Sequence, residues 1–471
     1  MSGHTVVIDV GKTLAKASLW NPAGQIVARA SRANARVAGP DYLALDAQGI
    51  EQWLAEVLAQ FASKALVSHI IPVAHGAGMA LVREPFVLLR PMDYEQPIPA
   101  DVRARYLPER DAFADSGSPA LPDGLNLGAQ LFWLQQLYPD ALSQGTQLLT
   151  WAQYWAWRLC GVTATEVTSL GCHTDLWNPR RGEPSDLARR QGWAEALAPR
   201  RHAAQVLGNV SPEWVLRAQL PSSVAVHCGL HDSNAALVAC RGFEAFAQAD
   251  FTVLSTGTWF IAMRSADASA APASLPENRD CLLNVDVHGR PVPSARFMGG
   301  REIEQLLGVD TPALDAAEVQ DALIDAVPQL LAQGTCIGPT LAAGCGPYPQ
   351  ARGGWHRRPE NLLHRVAAVA LYAALMTDAS LDLIGTRDKL LVEGRFAGVQ
   401  LFVRALATLR PDTAVYVVPE GLDVSFGALR LVDPSLEPAG TPQRVQPLAQ
   451  DLMALRATWR NEAAAAMEAA A

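Results

Sequence analysis

Over the first seventy residues, the hydrophobic positions predict strand, strand, strand, helix, strand. Residues 5–10 are a β-rich apolar run, Gly11-Lys12-Thr13 breaks it, and residues 14–20 resume it. Asn21-Pro22-Ala23-Gly24 is a turn signal, and residues 25–30 read as a third strand. Ile50, Trp53, Leu54, Val57, Leu58 and Phe61 then recur at helical spacing, and residues 67–73 return to a strand. This is an α/β opening built on a β-meander. The Pro-rich stretch 91–122 reads as loop. Residues 127–137 and 151–159 read as helices, and residues 224–228 as a strand ending in Gly229.

From Asp250 the opening pattern returns. Residues 251–254 form a strand, Ser255-Thr256-Gly257-Thr258 a turn, and residues 259–263 a strand. Two units of this shape imply two similar domains. Residues 361–384 then predict a long helix, residues 389–392 and 414–418 further strands, and the Ala-rich tail a helix.

With 471 residues, two to three domains are expected. Composition, 49% apolar and 18% charged, excludes a chain that is mainly disordered. The longest apolar run, residues 366–376, is short for a bilayer, and no basic-then-apolar leader opens the sequence. No membrane association and a cytoplasmic location are therefore expected. A net charge of −9 without a Lys/Arg stripe argues against nucleic-acid binding. The seven cysteines include no CxxC pair, which disfavours a zinc site or disulfide framework and fits reduced thiols. There are only four lysines, so Lys12 inside a Gly-Lys-Thr turn stands out.

That turn is not a Walker loop, because Val6 replaces the required earlier glycine and a strand follows instead of a helix. Gly76-Ala77-Gly78 is a poor dinucleotide loop, since Leu81 takes the third glycine position. His227 and His231 straddle a turn and make a weak metal pair. The two strand–turn–strand units are better candidates, because Gly and hydroxyl residues at such turns can donate to phosphate oxygens. Asp9 at the first strand's end suits a magnesium ion held through water. Asp232, just past a strand end, suits a proton acceptor for a substrate hydroxyl.

The segments Asp9-Val10-Gly11-Lys12-Thr13, Gly229-Leu230-His231-Asp232-Ser233-Asn234 and Leu254-Ser255-Thr256-Gly257-Thr258-Trp259 occur in that order. They resemble the first phosphate hairpin, the catalytic-base segment and the second phosphate hairpin of the FGGY carbohydrate kinases. Residues 337–348, around Gly344-Cys345-Gly346, resemble that family's C-terminal signature loop, and Glu393-Gly394-Arg395 its adenosine segment. Phe426-Gly427-Ala428 sits where the family starts a nucleotide-side helix. The literal FGGY string is absent, many members carry an acid and an arginine near Gly344, and the adenosine segment usually has consecutive glycines.

The resemblance implies an α/β protein of two actin-like, ribonuclease-H-like domains flanking a deep catalytic cleft, residues 1–240 on the sugar side and 241–471 on the nucleotide side. It implies ATP and Mg2+, and an enzyme that phosphorylates a small-molecule sugar, with a homodimer left open. Asp232 would be the catalytic base and Asp9 the metal residue. Gly11, Lys12, Thr13, Thr256, Gly257 and Thr258 would meet phosphates, and Gly344 would belong to the nucleotide site. Gly394 and Arg395 would border adenosine, with Arg395 narrowing its pocket. His75, Gly76, Asp93, Tyr94 and His231 would meet the sugar. A histidine before the base resembles kinases of L-fuculose or L-rhamnulose, with a pentulose or polyol as the alternative. A non-catalytic, ATP-driven actin-like clamp is the alternative of another class.

Overall fold

The computed structural model describes residues 3–266, 274–419 and 421–470. The chain divides into two compact units. The first holds Met1–Gly242, Leu283–Pro291 and Asp423–Pro438; the second holds Phe243–Leu282, Val292–Leu422 and Ala439–Ala471. The sequence reading cut the chain once, between residues 240 and 241. The structure adds two later segments to the first unit. Packing is the reason: helix Val424–Val432 lies against helix Asp232–Cys240, and a Cβ on Gly427 would stand 1.8 Å from the Ala235 carbonyl oxygen.

In the first unit, Ile26–Ala33, Leu14–Trp20 and His4–Val10 form the expected antiparallel meander. His4–Val10 then pairs in parallel with Val67–Ala74, and that strand with Ala225–His227. Val206–Asn209 closes the edge antiparallel. Helix Ala47–Lys64 begins where the Asp46 carboxylate accepts from the Gly49 amide at 2.9 Å, and buries Ile50, Leu54, Val57, Leu58 and Phe61 as its periodicity predicts.

The second unit repeats this order. Pro291–Phe297, Phe260–Ser265 and Phe251–Thr256 are antiparallel neighbours. Asp388–Gly394 and Thr413–Val417 follow in parallel, and Gln443–Arg444 closes antiparallel. The repeat read from two short hairpins thus extends to whole sheets. Helix Leu362–Leu383 has 22 residues, longer than the unbroken apolar run read from sequence, and is long and apolar enough to cross a membrane. It lies instead in the second unit's core, where 89% of its most apolar window is buried.

The stretch read as loop between 91 and 122 contains helix Ala100–Tyr106, whose Val102 and Tyr106, four apart, are both buried. A small sheet of Phe86–Leu89, Met79–Arg83 and Gln147–Thr150 had no distinct sequence signal.

Gly229 joins strand Ala225–His227 to the short strand Leu230–His231 at φ +81°, and a Cβ there would stand 2.1 Å from the Pro72 carbonyl oxygen. Gly289 has nearly the same φ, +82°, but open space around it. Gly229→Ala is expected to cost more than about 2 kcal/mol and Gly289→Ala about 1 kcal/mol. Urea unfolding of the two variants checks this. Equal costs would show that the close backbone approach at Gly229 does not matter.

Candidate active site

In the first unit, three strands end side by side. Register aligns Val10 with Ala74 and Ala74 with His231. The next residue along each strand is Gly11, His75 or Asp232, so three motifs far apart in sequence leave the sheet at one edge. The C-terminal edge of parallel strands is where α/β proteins place ligands.

The Gly11 turn is closed by its own amide donating to the Leu14 carbonyl at 3.1 Å. Asn34, unmarked by any motif, clamps it: its side-chain amide donates to the Gly11 carbonyl at 2.8 Å and its backbone amide to the Thr13 carbonyl at 2.8 Å. Thr13 is exposed. Lys12 does not point into solvent, and its side chain is only 16% exposed. Its ammonium pairs with Asp93, stands 4.3 Å over the Tyr94 ring centroid and lies 3.8 Å from Glu95.

Asp9 is buried, with Lys16 opposite in the hairpin and 3.8 Å away. Burial first, then the carboxylates of Asp232 and Asp423, push its pKa up to about 7, while Lys16 opposes them. Asp423 carried no sequence signal as an acid of this site. It caps helix Val424–Val432 through the Ser425 amide at 2.9 Å and pairs with Arg29. Among the described residues no three His, Cys, Asp or Glu side chains stand close enough to ligate a metal directly. A carboxylate held among other carboxylates suits a hydrated divalent cation, the form in which magnesium is commonly kept.

Asp232 opens helix Asp232–Cys240 and its side chain is one-third exposed. One oxygen accepts from the Ser233 amide at 2.5 Å and hydroxyl at 3.2 Å. His231 is buried, with Nε2 3.2 Å from Cys172 Sγ and 3.3 Å from the Asp232 carboxylate. Burial lowers its pKa. Its ring faces Cys172 and Asp232, while His227 Nε2 lies 3.1 Å from His69 Nδ1.

His75 Nδ1 donates to the Gly76 carbonyl at 2.5 Å. Burial lowers this histidine's pKa, leaving Nε2 a bare acceptor. That atom is buried without a hydrogen-bond partner, as are Asp93 Oδ2 and Asn234 Oδ1. Tyr94 packs edge-on against the His75 ring at 5.4 Å, and a Cβ on Gly76 would stand 3.2 Å from His231 Nε2.

In the second unit, register aligns Thr256 with Gly394. The Thr256 hydroxyl donates to the Glu393 carbonyl at 2.6 Å and accepts from the Phe396 amide at 3.0 Å, so it fastens two segments together. Gly257 and Thr258 form an exposed turn. Gly300, in helix Gly299–Leu307, packs on that turn: a Cβ there would stand 2.3 Å from the Gly257 carbonyl oxygen. Glu302 of the same helix accepts from the Leu341 and Ala342 amides at 3.0 and 2.9 Å and from the Tyr372 hydroxyl at 2.8 Å. It thereby holds the loop bearing the exposed Gly344. Past Gly394, a cavity of about 780 Å³ is lined by Gly394, Gln400, Arg404, Pro419, Gly421 and Arg444, among others.

The family model for the C-terminal domain of the FGGY carbohydrate kinases matches residues 248–440. A crystal structure of a carbohydrate kinase from Novosphingobium aromaticivorans is 52% identical, with a TM-score of 0.92, covering 97% of this chain and 100% of that one. This chain belongs to the FGGY carbohydrate kinases. The L-fuculokinase of Salmonella typhi is 30% identical over 296 residues, which cover 59% of this chain and 60% of that protein. The match thus spans about three fifths of the relative's length. A xylulose kinase from Lactobacillus acidophilus, 15% identical with a TM-score of 0.77 over 99% of this chain and 97% of that one, shares the fold.

Two residues expected at the nucleotide make other contacts in this structure. Arg395 is not among the residues lining the cavity, because its guanidinium makes a two-pronged pair with Asp315 at 2.6 and 3.1 Å. Arg404 and Arg444 are the arginines at the cavity wall. Lys12, expected at phosphate, is drawn to Asp93 by opposite charge and to Tyr94 by its ring face.

Asp9 has a folded pKa of about 7 against an ordinary 3.8. The folded state therefore holds more protons than the unfolded state between these values, and stability falls as pH rises through that window. Asp9→Asn removes the penalty, so it is expected to gain about 1–3 kcal/mol over wild type at pH 8 and nothing at pH 4. Urea unfolding without divalent cations checks it. A difference that does not change between the two pH values would show that Asp9 ionises as an ordinary carboxyl.

Proposed function

We propose that the chain transfers the γ-phosphoryl group of ATP to a hydroxyl of an uncharged ketose, with L-fuculose or L-rhamnulose first and a pentulose next. The observation that carries this reading is that, among the buried acceptors without donors, His75 Nε2, Asp93 Oδ2 and Asn234 Oδ1 belong to the segments expected at the sugar and the base. Asp232 is next to His231 and two residues before Asn234, and its charge acts on His75. Leaving such atoms unpaired costs roughly 1–3 kcal/mol each, and a hydroxyl-rich ligand supplies the missing donors. The L-fuculokinase relatives and the histidine before Asp232 favour a deoxy-ketose.

Asp232 takes the proton of the reacting hydroxyl as the oxygen–phosphorus bond forms and the bond to the bridging oxygen of ADP breaks. Its one-third exposure leaves it open to substrate, and the Ser233 contacts hold one oxygen still. The exposed Thr13 and Thr258 offer their hydroxyls to phosphate oxygens, while the Gly11 and Gly257 amides close their turns on the Leu14 and Trp259 carbonyls. Adenosine enters the cavity beyond Gly394. Gly394 has φ +85° and would place a Cβ 2.3 Å from the Thr256 carbonyl oxygen, so no side chain fits there. Asp9 would hold hydrated Mg2+, which supplies charge neutralisation to the phosphates when bound.

ADP release with L-fuculose, L-rhamnulose, D- and L-xylulose, D- and L-ribulose, glycerol and erythritol tests the reading. The two deoxy-ketoses are expected to give the highest kcat/KM. Asp232→Asn is expected to lose at least about a hundredfold in kcat with ADP affinity kept. ATP turnover that ignores every sugar would favour the actin-like clamp, and near-normal turnover in Asp232→Asn would remove the base.

A further inference from the structure

Lys12 sits in the first phosphate turn, yet three features turn its ammonium toward the opposite task. Asp93, its partner, is fully buried, and the lysine side chain is only 16% exposed. The ammonium also lies 4.3 Å above the Tyr94 ring, which in turn packs on His75. Asp93 Oδ1 accepts both Lys12 and the Glu95 amide, the latter at 2.8 Å. Asp93 Oδ2 is left without a hydrogen bond, with only the Arg36 guanidinium 3.9 Å away.

We propose that Lys12 and Asp93 together read the acceptor sugar, Lys12 being a specificity-determining residue and not a phosphate ligand; this rests on the sugar-kinase reading above. A half-buried ammonium beside a buried carboxylate with one oxygen outside any hydrogen bond places a donor next to an acceptor. That edge matches two neighbouring hydroxyls, one accepting from Nζ and the other donating to Oδ2. The pair is neutral as a unit. It therefore selects an uncharged vicinal diol over a sugar acid, whose carboxylate would meet Asp93 as well as Lys12. In this structure the lysine's charge is engaged by Asp93, so a phosphate would have to compete with that carboxylate for it.

The experiment compares wild type, Lys12→Met, Asp93→Asn and the double variant, using the ketose ranked first in the panel and the aldonate of its isomeric aldose, L-fuculose and L-fuconate being the expected pair. Lys12→Met is expected to raise the sugar KM roughly tenfold or more and to leave the ATP KM within about twofold. The double variant leaves no unpaired buried charge, so the same KM pattern in it shows that the loss is recognition and not misfolding. Asp93→Asn leaves the lysine only the half-exposed Glu95 carboxylate 3.8 Å away and is expected to narrow the preference for ketose over aldonate. A raised ATP KM with unchanged sugar KM, in the single or the double variant, overturns the assignment. So does an unaltered preference in Asp93→Asn. If wild type phosphorylates no sugar in the panel, the kinase reading itself falls. Sugar-dependent turnover combined with an ATP-side effect overturns the Lys12 assignment alone.

Discussion

The parallel pairing of His4–Val10, Val67–Ala74 and Leu230–His231 is the constraint on which the first unit's chemistry depends. Side chains in a sheet alternate faces, so a slip of one residue would turn every one of them over. Register fixes Val10, Ala74 and His231 as neighbours, and the residues that follow inherit their places. Gly229 makes the last pairing attainable, because only a residue without a Cβ can lie that close to the Pro72 carbonyl. The base, the phosphate turn and the His75 acceptor are positioned by the backbone hydrogen bonds of this sheet.

The same strand order serves the second unit differently. There the row at Thr256 and Gly394 is used for fastening: the Thr256 hydroxyl spends both its hydrogen bonds inside the protein. Helix Gly299–Leu307 then ties the exposed turn to the Gly344 loop through Gly300 and Glu302. Burial pushes the Glu302 pKa up, while the two amides and the Tyr372 hydroxyl act against it. One topology thus presents side-chain acids in the first unit and mainly backbone in the second.

What could be read from the sequence was local. Turns made of Gly and Thr, and a helix with apolar residues every third or fourth position, announce themselves within a dozen residues, so the hairpins, helix Ala47–Lys64 and the family were legible. The directions of the long cations were not. Lys12 finds Asp93 across 81 residues of chain, and Arg395 finds Asp315 across 80. Each was assigned to a ligand by its motif, and in this structure each pairs with a carboxylate far away in sequence. Asp423 escaped for a related reason. Nothing in its own neighbourhood marks it as belonging to the first unit; the close approach of Gly427 to Ala235 puts it there. The Pro-rich stretch hid helix Ala100–Tyr106 because composition outweighed a short i, i+4 pair of apolar residues.

The unpaired acceptors also show why hydroxyl pattern, more than size, should govern what this site accepts. A buried acceptor that stays empty costs about 1–3 kcal/mol, while one extra methyl group packed in an apolar wall contributes about 1 kcal/mol. Three such acceptors, His75 Nε2, Asp93 Oδ2 and Asn234 Oδ1, outweigh a single terminal methyl. A ligand lacking one matching hydroxyl leaves an atom unsatisfied that water cannot readily reach, and the penalty falls on that ligand alone. Discrimination among ketoses is therefore set first by which carbons present donors to these atoms. Preference for a deoxy sugar is a smaller increment added to that pattern.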